Sequence, residues 1–309
     1  MSKRMLAIFF AVDLAIVAIV AVVIAGTRGG DSNQASASPV AVVEETASDV
    51  PAAATKKVNR FDGDRAWRSL EYQVNLGPRP AGSEASRKLA AYIKARLPNG
   101  RYEELPGGLR NVVGEIPGKG KPILLAAHYD TKDFPGFVGA NDGAGGTAQM
   151  LELARALKKI KRSRNASPIR FVAFDGEEAT DDSDFYGTGL RGSKPYAKKH
   201  AKKLKEMVLL DFVADKDLAI PRDQSSDPEM WADLREAAER VGSDTAFPER
   251  EQGEVEDDHT PFVRRGVPSI DLIDFDFPCW HQTCDDITAV SKASLDKSGE
   301  AVLEFLRNR

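Results

Sequence analysis

Two adjacent glutamates, Glu177 and Glu178, follow the apolar run from Ile169 to Phe174. Neighbouring side chains of an extended segment point in opposite directions, so one carboxylate can bind a metal while the other moves a proton. A glutamate pair on its own is more often a solvated surface feature. Four further residues of metal-binding type favour a zinc site with a base: His128, Asp142, Asp211 and His281.

The elements that must position these residues alternate in the manner of an α/β sandwich. Predicted strands cover residues 111–116, 122–128, 169–174, 207–212 and 267–273, the first two as neighbours. Predicted helices cover residues 66–74, 83–97, 142–159, 193–203, 227–241 and 295–309. This order puts His128, Glu177, Glu178, Asp211 and His281 at or beyond the C-terminal ends of strands, where open α/β sheets bind ligands.

The composition is that of an ordinary globular protein. The 309 residues are 42% hydrophobic and carry 43 basic and 47 acidic side chains, a formal net charge of −4. A single domain of about 250 residues can bury a sizeable core. Neither a basic stripe nor a pattern of stacking aromatics is visible, so no nucleic-acid partner is expected. Gly143-Ala144-Gly145-Gly146 lacks the GxGxxG spacing and does not directly follow a strand, so no nucleotide cofactor is expected.

The N-terminal residues indicate location. Met5 to Ala25 is an apolar run interrupted only by Asp13 and preceded by Lys3 and Arg4, and it is long enough to cross a bilayer. We therefore expect residues 1–26 to be a transmembrane anchor with the rest of the chain outside the cytoplasm. The alternative is a long signal peptide, cleaved near Ala35-Ser36-Ala37, and a secreted product. Residues 27–57 are expected to be a flexible linker to a catalytic domain at 58–309.

Several motifs follow one another along the chain. They are His128-Tyr129-Asp130, Asn141-Asp142-Gly143, Phe174-Asp175-Gly176-Glu177-Glu178-Ala179, Leu210-Asp211, the segment from Asp257 to Pro268, and Trp280-His281. From about Gly77 onward the chain resembles the zinc aminopeptidases of the co-catalytic type, and within that superfamily it is most similar to the glutaminyl cyclases. The resemblance implies an α/β fold, a three-layer sandwich around a mixed, mostly parallel central sheet.

The resemblance also implies a set of zinc ligands. In the two-metal aminopeptidases, Asp142 would bridge two zinc ions, with His128 and Asp211 completing one site and Glu178 and His281 the other. In the cyclases, only Asp142, Glu178 and His281 hold a single zinc. Because all five positions are filled here, the number of zinc ions, one or two, stays open.

Both activities act on peptide N-termini, and in both Glu177 would be the general base. A cyclase converts an N-terminal glutamine to pyroglutamate with release of ammonia. The resemblance then implies that Asp211 and Asp257 form a carboxyl pair sharing a proton beside the substrate. In an aminopeptidase, Glu177 would instead deprotonate the water that attacks the first peptide bond. Asp130 would orient the His128 imidazole.

The features that favour the cyclase concern the substrate pocket. The unbroken segment from Asp257 to Pro268, Phe277 and Trp280 suit an apolar wall around a glutaminyl side chain. Two departures concern the same pocket, since the loop at 179–186 lacks the tryptophan of vertebrate cyclases and Glu256 replaces a glutamine. A zinc aminopeptidase is therefore the alternative. A tethered binding domain without catalysis is a remote alternative, because no ligand position is missing.

The remaining candidates carry weaker expectations. Cys279 and Cys284, the only cysteines, flank Trp280-His281, and a disulfide is favoured because the domain is expected outside the cytoplasm. The alternatives are two free thiols or an approach of Cys284 to the zinc. His259 is expected to make a structural hydrogen bond, and His200 to lie on a lysine-rich helix surface. The acidic run at 181–184 is expected to be a solvated loop that attracts a peptide's amino terminus.

Overall fold

A computed structural model describes residues 59–307 and 309. The predicted anchor at 1–26 and the predicted linker at 27–57 lie outside the described residues. Among the residues that are described, no helix is both long and apolar enough to cross a membrane.

The described chain alternates strands and helices, as expected from the sequence. The strands are β1 Arg101–Glu104, β2 Arg110–Ile116, β3 Ile123–His128, β4 Ile169–Phe174, β5 Glu206–Leu210, β6 Arg222–Asp223, β7 Glu251–Gln252 and β8 Ser269–Leu272. The helices are α1 Gly63–Val74, α2 Glu84–Arg96, α3 Ala144–Lys159, α4 Phe185–Thr188, α5 Ser193–His200, α6 Pro228–Val241, α7 Thr260–Val263 and α8 Lys292–Arg307.

Six strands form the central sheet in the order β1-β2-β4-β3-β5-β8. The pairs β1/β2 and β2/β4 are antiparallel and the other three pairs are parallel. The mixed, mostly parallel sheet expected from the resemblance is therefore confirmed. The expectation that β2 and β3 are neighbours is wrong, because β4 lies between them and pairs with both. β4 is almost entirely buried and lies inside the sheet, whereas both ends of β2 are half-buried, as expected for a strand nearer the edge.

The sheet is covered on both faces, which makes the three-layer sandwich. On β3, Ile123, Leu125 and Ala127 belong to the core beneath α1, α2, α3, α6 and α8. The intervening Leu124 and Ala126 pack with residues of α5 and α7 on the other face. This alternation follows from the two-residue period of a strand, and it explains why the strand is apolar without interruption.

Element boundaries differ from the predictions mainly at short or irregular segments. No local sequence pattern predicts β1, the two-residue strands β6 and β7, or the short helices α4 and α7. The helix predicted at 193–203 ends at His200 and continues as a 3₁₀ turn, Ala201–Lys203. The strand predicted at 207–212 ends at Leu210, so Asp211 lies just beyond it. The parallel strands β3, β4, β5 and β8 all end at the same edge of the sheet, and the candidate residues follow them.

Candidate metal centre and active site

Two strand ends and the start of α3 form a first group of potential metal ligands. The Nε2 atom of His128, the last residue of β3, lies 3.2 Å from Asp142 Oδ1 and 3.5 Å from Asp211 Oδ1. Asp142 precedes α3 by two residues and Asp211 follows β5 directly. One donor atom from each of the three residues lies within 4.8 Å of the others.

Asp142 also belongs to a second group, with Glu178 and His281. The Nε2 atom of His281 lies 3.7 Å from Asp142 Oδ2 and 3.4 Å from Glu178 Oε2. Two ligands of one tetrahedral zinc, each about 2.1 Å from the metal, are separated by roughly 3.4 Å. The separations in both groups fit that geometry, and Asp142 is common to both groups.

The burial of these donor atoms favours a bound cation. Within the described part of the chain, both ring nitrogens of His128, Asp142 Oδ2 and both carboxylate oxygens of Glu178 are buried without a hydrogen-bond partner. Buried polar atoms are nearly always paired, because desolvation without a partner is costly. Imidazole nitrogens and carboxylate oxygens are zinc ligands, so the residues fit the metal that the sequence predicts.

Electrostatics give the same picture of a strongly negative pocket. Burial opposes the charged form of His128, but Asp130, Asp142 and Asp211 outweigh it and raise the pKa of the imidazole well above its usual value. Burial raises the pKa of Glu177 well above the usual range of a glutamate. Burial and the Asp142 carboxylate also raise the pKa of Glu178. A bound cation would relieve this accumulation of carboxylates.

Glycines let the start of α3 approach the ends of the strands. Gly143 has φ +86°, and a Cβ atom there would lie 3.2 Å from the His128 ring. A Cβ on Gly146 would lie 2.1 Å from the carbonyl oxygen of Leu210, at the end of β5. The glycines therefore allow Asp142 to lie close to His128 and Asp211. This close packing explains why the segment is rich in glycine.

Asp130 supports the site in a way that the sequence did not reveal. Its carboxylate accepts hydrogen bonds from the backbone N–H groups of Glu177, at 3.1 Å, and Glu178, at 3.3 Å. The nearest approach between Asp130 Oδ1 and His128 Nδ1 is 3.7 Å, longer than a hydrogen bond. In this structure Asp130 therefore fixes the turn that carries both glutamates.

Two further buried residues hold the loop that carries Asp142, and neither was found from the sequence. Asp285 accepts the backbone N–H groups of Asn141, at 2.8 Å, and Asp142, at 3.0 Å. The fully buried guanidinium of Arg79 donates to the carbonyl oxygens of Gly77, Gln73, Val138 and Gly139. Nothing local in Gly77-Pro78-Arg79-Pro80 predicts burial of the arginine.

Four of the five candidate metal ligands, all except His128, line a cavity of about 430 Å³. Its wall combines acidic residues, among them Glu177, Asp211 and Asp257, with the apolar side chains of Phe185, Phe212, Ile273, Phe275 and Trp280. The expectation that Phe277 lines this pocket is wrong. Phe277 is 3% exposed and packs beneath Phe212, with ring centroids 5.8 Å apart, so Phe212 and Phe275 form the wall instead.

Comparison with known proteins places this arrangement in a family. The model of peptidase family M28 matches residues 111–306. The chain belongs to peptidase family M28. It is 30% identical to the glutaminyl-peptide cyclotransferase of Bos taurus over 249 residues, which cover 66% of this chain and 69% of that protein.

Solved structures of M28-like enzymes share the fold. An Acidobacteriales bacterium glutaminyl cyclase is 33% identical with a TM-score of 0.70, over 83% of this chain and 97% of that one. A Zn-dependent exopeptidase from Parabacteroides distasonis is 25% identical with a TM-score of 0.70, over 82% of this chain and all of that one, 100%. The chain is therefore a glutaminyl cyclase-like member of an enzyme family, as the sequence predicts.

The loop after Glu178 forms part of the rim of this cavity. Asp181 and Asp184 accept the backbone N–H groups of Ser183 and Gly187, and thus cap local turns. Asp182 reaches the cavity and forms an ion pair with Lys132, whose ammonium also lies 3.7 Å from Glu178 Oε2. Phe185 supplies an aromatic ring from the loop that lacks the expected tryptophan.

The other departure from the cyclase pattern is Glu256, which replaces a glutamine. Glu256 lines the cavity and is paired with Arg264, at 2.7 Å. Its charge is therefore partly balanced within the protein.

His281 lies in a short loop closed by a disulfide between Cys279 and Cys284. Its φ angle is +51°, a conformation that is uncommon for residues other than glycine. The half-exposed ring of Trp280 stacks on the His281 imidazole, with centroids 4.6 Å apart. The disulfide and the stacking ring together restrict the His281 side chain, which lies nine residues beyond the end of β8.

The other two histidines lie outside these ligand groups. His259 is fully buried, and its Nε2 atom is 2.7 Å from Ser225 Oγ. It also forms a third compact group of donor atoms with Asp257 and Asp271, whose carboxylates are buried. His200, at the end of α5, is half-buried and contacts Glu103 at 3.0 Å.

Proposed function

We propose that this M28 member is a zinc-dependent glutaminyl-peptide cyclotransferase. Asp142, Glu178 and His281 would hold the zinc, and Glu177 would be the general base. The observation that supports this best is the position of buried Glu177 beside that ligand group, at the base of a cavity walled by Trp280 and Phe275. Apolar rings of this kind can pack against the methylene groups of an uncharged glutaminyl side chain.

The reaction forms one C–N bond and breaks another. The α-amine nitrogen attacks the γ-amide carbon, the five-membered ring closes, and the amide nitrogen leaves as ammonia. Bound zinc would polarise the γ-amide carbonyl oxygen. Glu177 would accept a proton from the α-amine and donate it to the departing nitrogen. A glutamate that both accepts and donates a proton needs a pKa above its ordinary range, and burial raises the pKa of Glu177 in that direction.

Asp257 and Asp211 would bind the substrate amine side by side. Burial and the neighbouring Asp211 carboxylate raise the pKa of Asp257 well above its usual value. Two close carboxylates resist joint ionisation, so the pair would hold one proton between them. The proton lets one carboxyl group donate a hydrogen bond while the other accepts one.

An aminopeptidase is the second candidate, and one observation favours it. His128, Asp142 and Asp211 form a complete second ligand group that shares Asp142 with the first. A chain with both groups filled would bind two zinc ions, and Glu177 would then deprotonate the attacking water. A binding domain without catalysis is not favoured, because the base and all five ligand positions are present.

The two activities are separated by matched peptides that begin with glutamine or leucine. We expect the purified full chain to release ammonia from the glutamine peptide and to leave the leucine peptide intact, as read by mass spectrometry. Because glutamine cyclises slowly by itself, Glu177→Gln is the blank. Shortening of the leucine peptide without enhanced cyclisation would replace the cyclase by the aminopeptidase and leave the metal centre in place.

For location, we propose that residues 1–26 anchor the chain and that the catalytic domain at 58–309 lies outside the cytoplasm. The support is the apolar run from Met5 to Ala25 behind Lys3 and Arg4. Protease added to intact cells should then cut between residues 30 and 57. Protection of the domain would contradict this topology, and a mature N-terminus near Ser38 would identify a cleaved signal peptide with a secreted product.

A further inference from the structure

Three short segments with exclusively basic charge meet at the edge of the sheet opposite the cavity. Residues 117–122, 158–168 and 198–205 contain two, five and five lysines or arginines and no aspartate or glutamate. We call these side chains the basic edge: Lys119, Lys121, Lys158, Lys159, Lys161, Arg162, Arg164, Lys198, Lys199, Lys202, Lys203 and Lys205. Along the sequence they are separate runs, so no stripe was visible there.

The parallel sheet brings the three segments together. They lead directly into β3, β4 and β5, whose first residues are in register, with Ile123 opposite both Ile169 and Glu206. The backbone N–H of Lys119 donates to the carbonyl oxygen of Ala166, and that of Lys205 donates to Pro122. Since the metal ligands follow the other ends of these strands, about six residues away, the basic edge and the metal centre are separated by roughly 20 Å.

Most of this charge is unbalanced within the protein. All members of the basic edge except Arg162 are exposed. Among the residues of the described chain, only Lys199 and Lys205 of this set form ion pairs, with Glu103 and Glu206. Although the net charge of the chain is −4, a concentrated positive surface lies at one edge of the sheet and an acidic cavity lies at the opposite edge.

We propose that the basic edge binds the anionic headgroups of phospholipids and holds the catalytic domain on a membrane surface. Clustered lysines bind anionic lipid surfaces by charge, without a shaped pocket. The three segments contain no phenylalanine, tyrosine or tryptophan, so they lack the stacking platforms used for single-stranded nucleic acid. Contact through this edge leaves the cavity facing away from the lipid, open to peptides.

The chain outside the described residues supports a lipid partner. Its apolar run from Met5 to Ala25 precedes residues 27–57, and if these form the linker expected from the sequence, their root-mean-square span is roughly 30 Å. If the run crosses the bilayer, the basic edge remains within reach of the headgroups, and weak charge interactions suffice for docking.

Lysine acetylation, read residue by residue with mass spectrometry, tests the proposal on the full chain. The chain is mixed with vesicles of phosphatidylcholine, alone or with phosphatidylglycerol. With phosphatidylglycerol we expect Lys119 and Lys198 to react at least about threefold more slowly, an effect that high salt abolishes. Lys88, on α2, should react equally with both vesicles. Equal reaction of the edge lysines would overturn the proposal, as would protection by an RNA oligonucleotide but not by phosphatidylglycerol.

Two variants of equal charge change locate the effect. The first replaces Lys159, Lys161, Lys202 and Lys203 by glutamine, and the second replaces Arg68, Arg87, Lys292 and Lys297 by glutamine. The first should abolish the protection of Lys119 and Lys198, and the second should preserve it. Loss of protection in both variants would overturn the assignment to this edge. Turnover of a soluble glutaminyl peptide should be unchanged in both, so the result is independent of whether the proposed reaction is correct.

Discussion

The Asp285 carboxylate accepts a hydrogen bond from the backbone N–H of Asp142, with the two atoms 3.0 Å apart. Its other oxygen accepts the N–H of Asn141, at 2.8 Å. Asp285 follows His281 by four residues, so one short segment carries one proposed zinc ligand and fixes the backbone of another, Asp142. Burial and the Asp142 carboxylate raise the pKa of Asp285 to about 7. The positive charge of the buried Arg79 guanidinium opposes this rise.

The first prediction concerns this contact. Asp285→Asn retains one acceptor oxygen but presents an amide NH₂ group to the second backbone N–H, so the loop carrying Asp142 should shift. We expect the affinity for zinc to fall by about 10–100-fold, as for other residues that orient metal ligands. Competition with a chelator measures this affinity. Asp286→Asn, at the adjacent position, is the matched control, and an unchanged affinity in Asp285→Asn would contradict the positioning role.

The second prediction separates the two adjacent glutamates. Glu177→Gln should lower turnover by at least about a hundredfold while zinc content stays near that of the wild type, because the base is not a ligand. Glu178→Gln and His281→Ala should lose zinc and turnover together. Metal analysis of the purified variants decides the assignment. Loss of zinc in Glu177→Gln, with zinc retained in Glu178→Gln, would show that the two roles are exchanged.

The parts of this fold that were predictable are those with a local signal. Buried strands such as β3 and β4 are apolar runs, and ligands at strand ends follow from the α/β order and from the motifs. Asp285 and Arg79 carry no such signal, because their roles depend on contacts between segments far apart in the chain. The prediction that Phe277 lines the pocket also failed, since a residue beside a functional loop can face either the cavity or the core. The basic edge depends on sheet order, which local patterns do not reveal.

The third prediction concerns the disulfide beside His281. Replacing both Cys279 and Cys284 by serine removes the closure of a short loop, so His281 should sample other conformations and bind zinc less tightly, by about tenfold. In the chain-entropy view, the free energy of unfolding should also fall by about 2 kcal/mol. Excess zinc should restore turnover, which distinguishes a positioning effect from misfolding. Thr283→Ala, with the disulfide intact, is the control, and equal zinc affinity in all three proteins would exclude this role.

The last prediction concerns pH and a carboxyl group outside the metal centre. Asp274 follows β8, is 3% exposed, and accepts the backbone N–H of Ala219 at 2.7 Å. Burial raises its pKa from the ordinary 3.8 to about 6, against the opposing effect of that hydrogen bond. The folded state therefore binds the proton more tightly than the unfolded state. Its contribution to stability is full below the unfolded pKa and is lost as the pH rises through about 6.

Asp274→Asn retains an acceptor for Ala219 and removes the titration. Relative to this variant, the wild type should lose about 2 kcal/mol of unfolding free energy between pH 4 and pH 7, since each pKa unit corresponds to about 1.4 kcal/mol and the unfolded carboxyl is partly ionised at pH 4. Urea unfolding of both proteins at a series of pH values measures the difference. Asp276→Asn, at an exposed neighbour paired with Arg250, should follow the wild type within about 0.5 kcal/mol. Parallel stability curves for the wild type and Asp274→Asn would show that Asp274 is already ionised in the folded protein throughout this range.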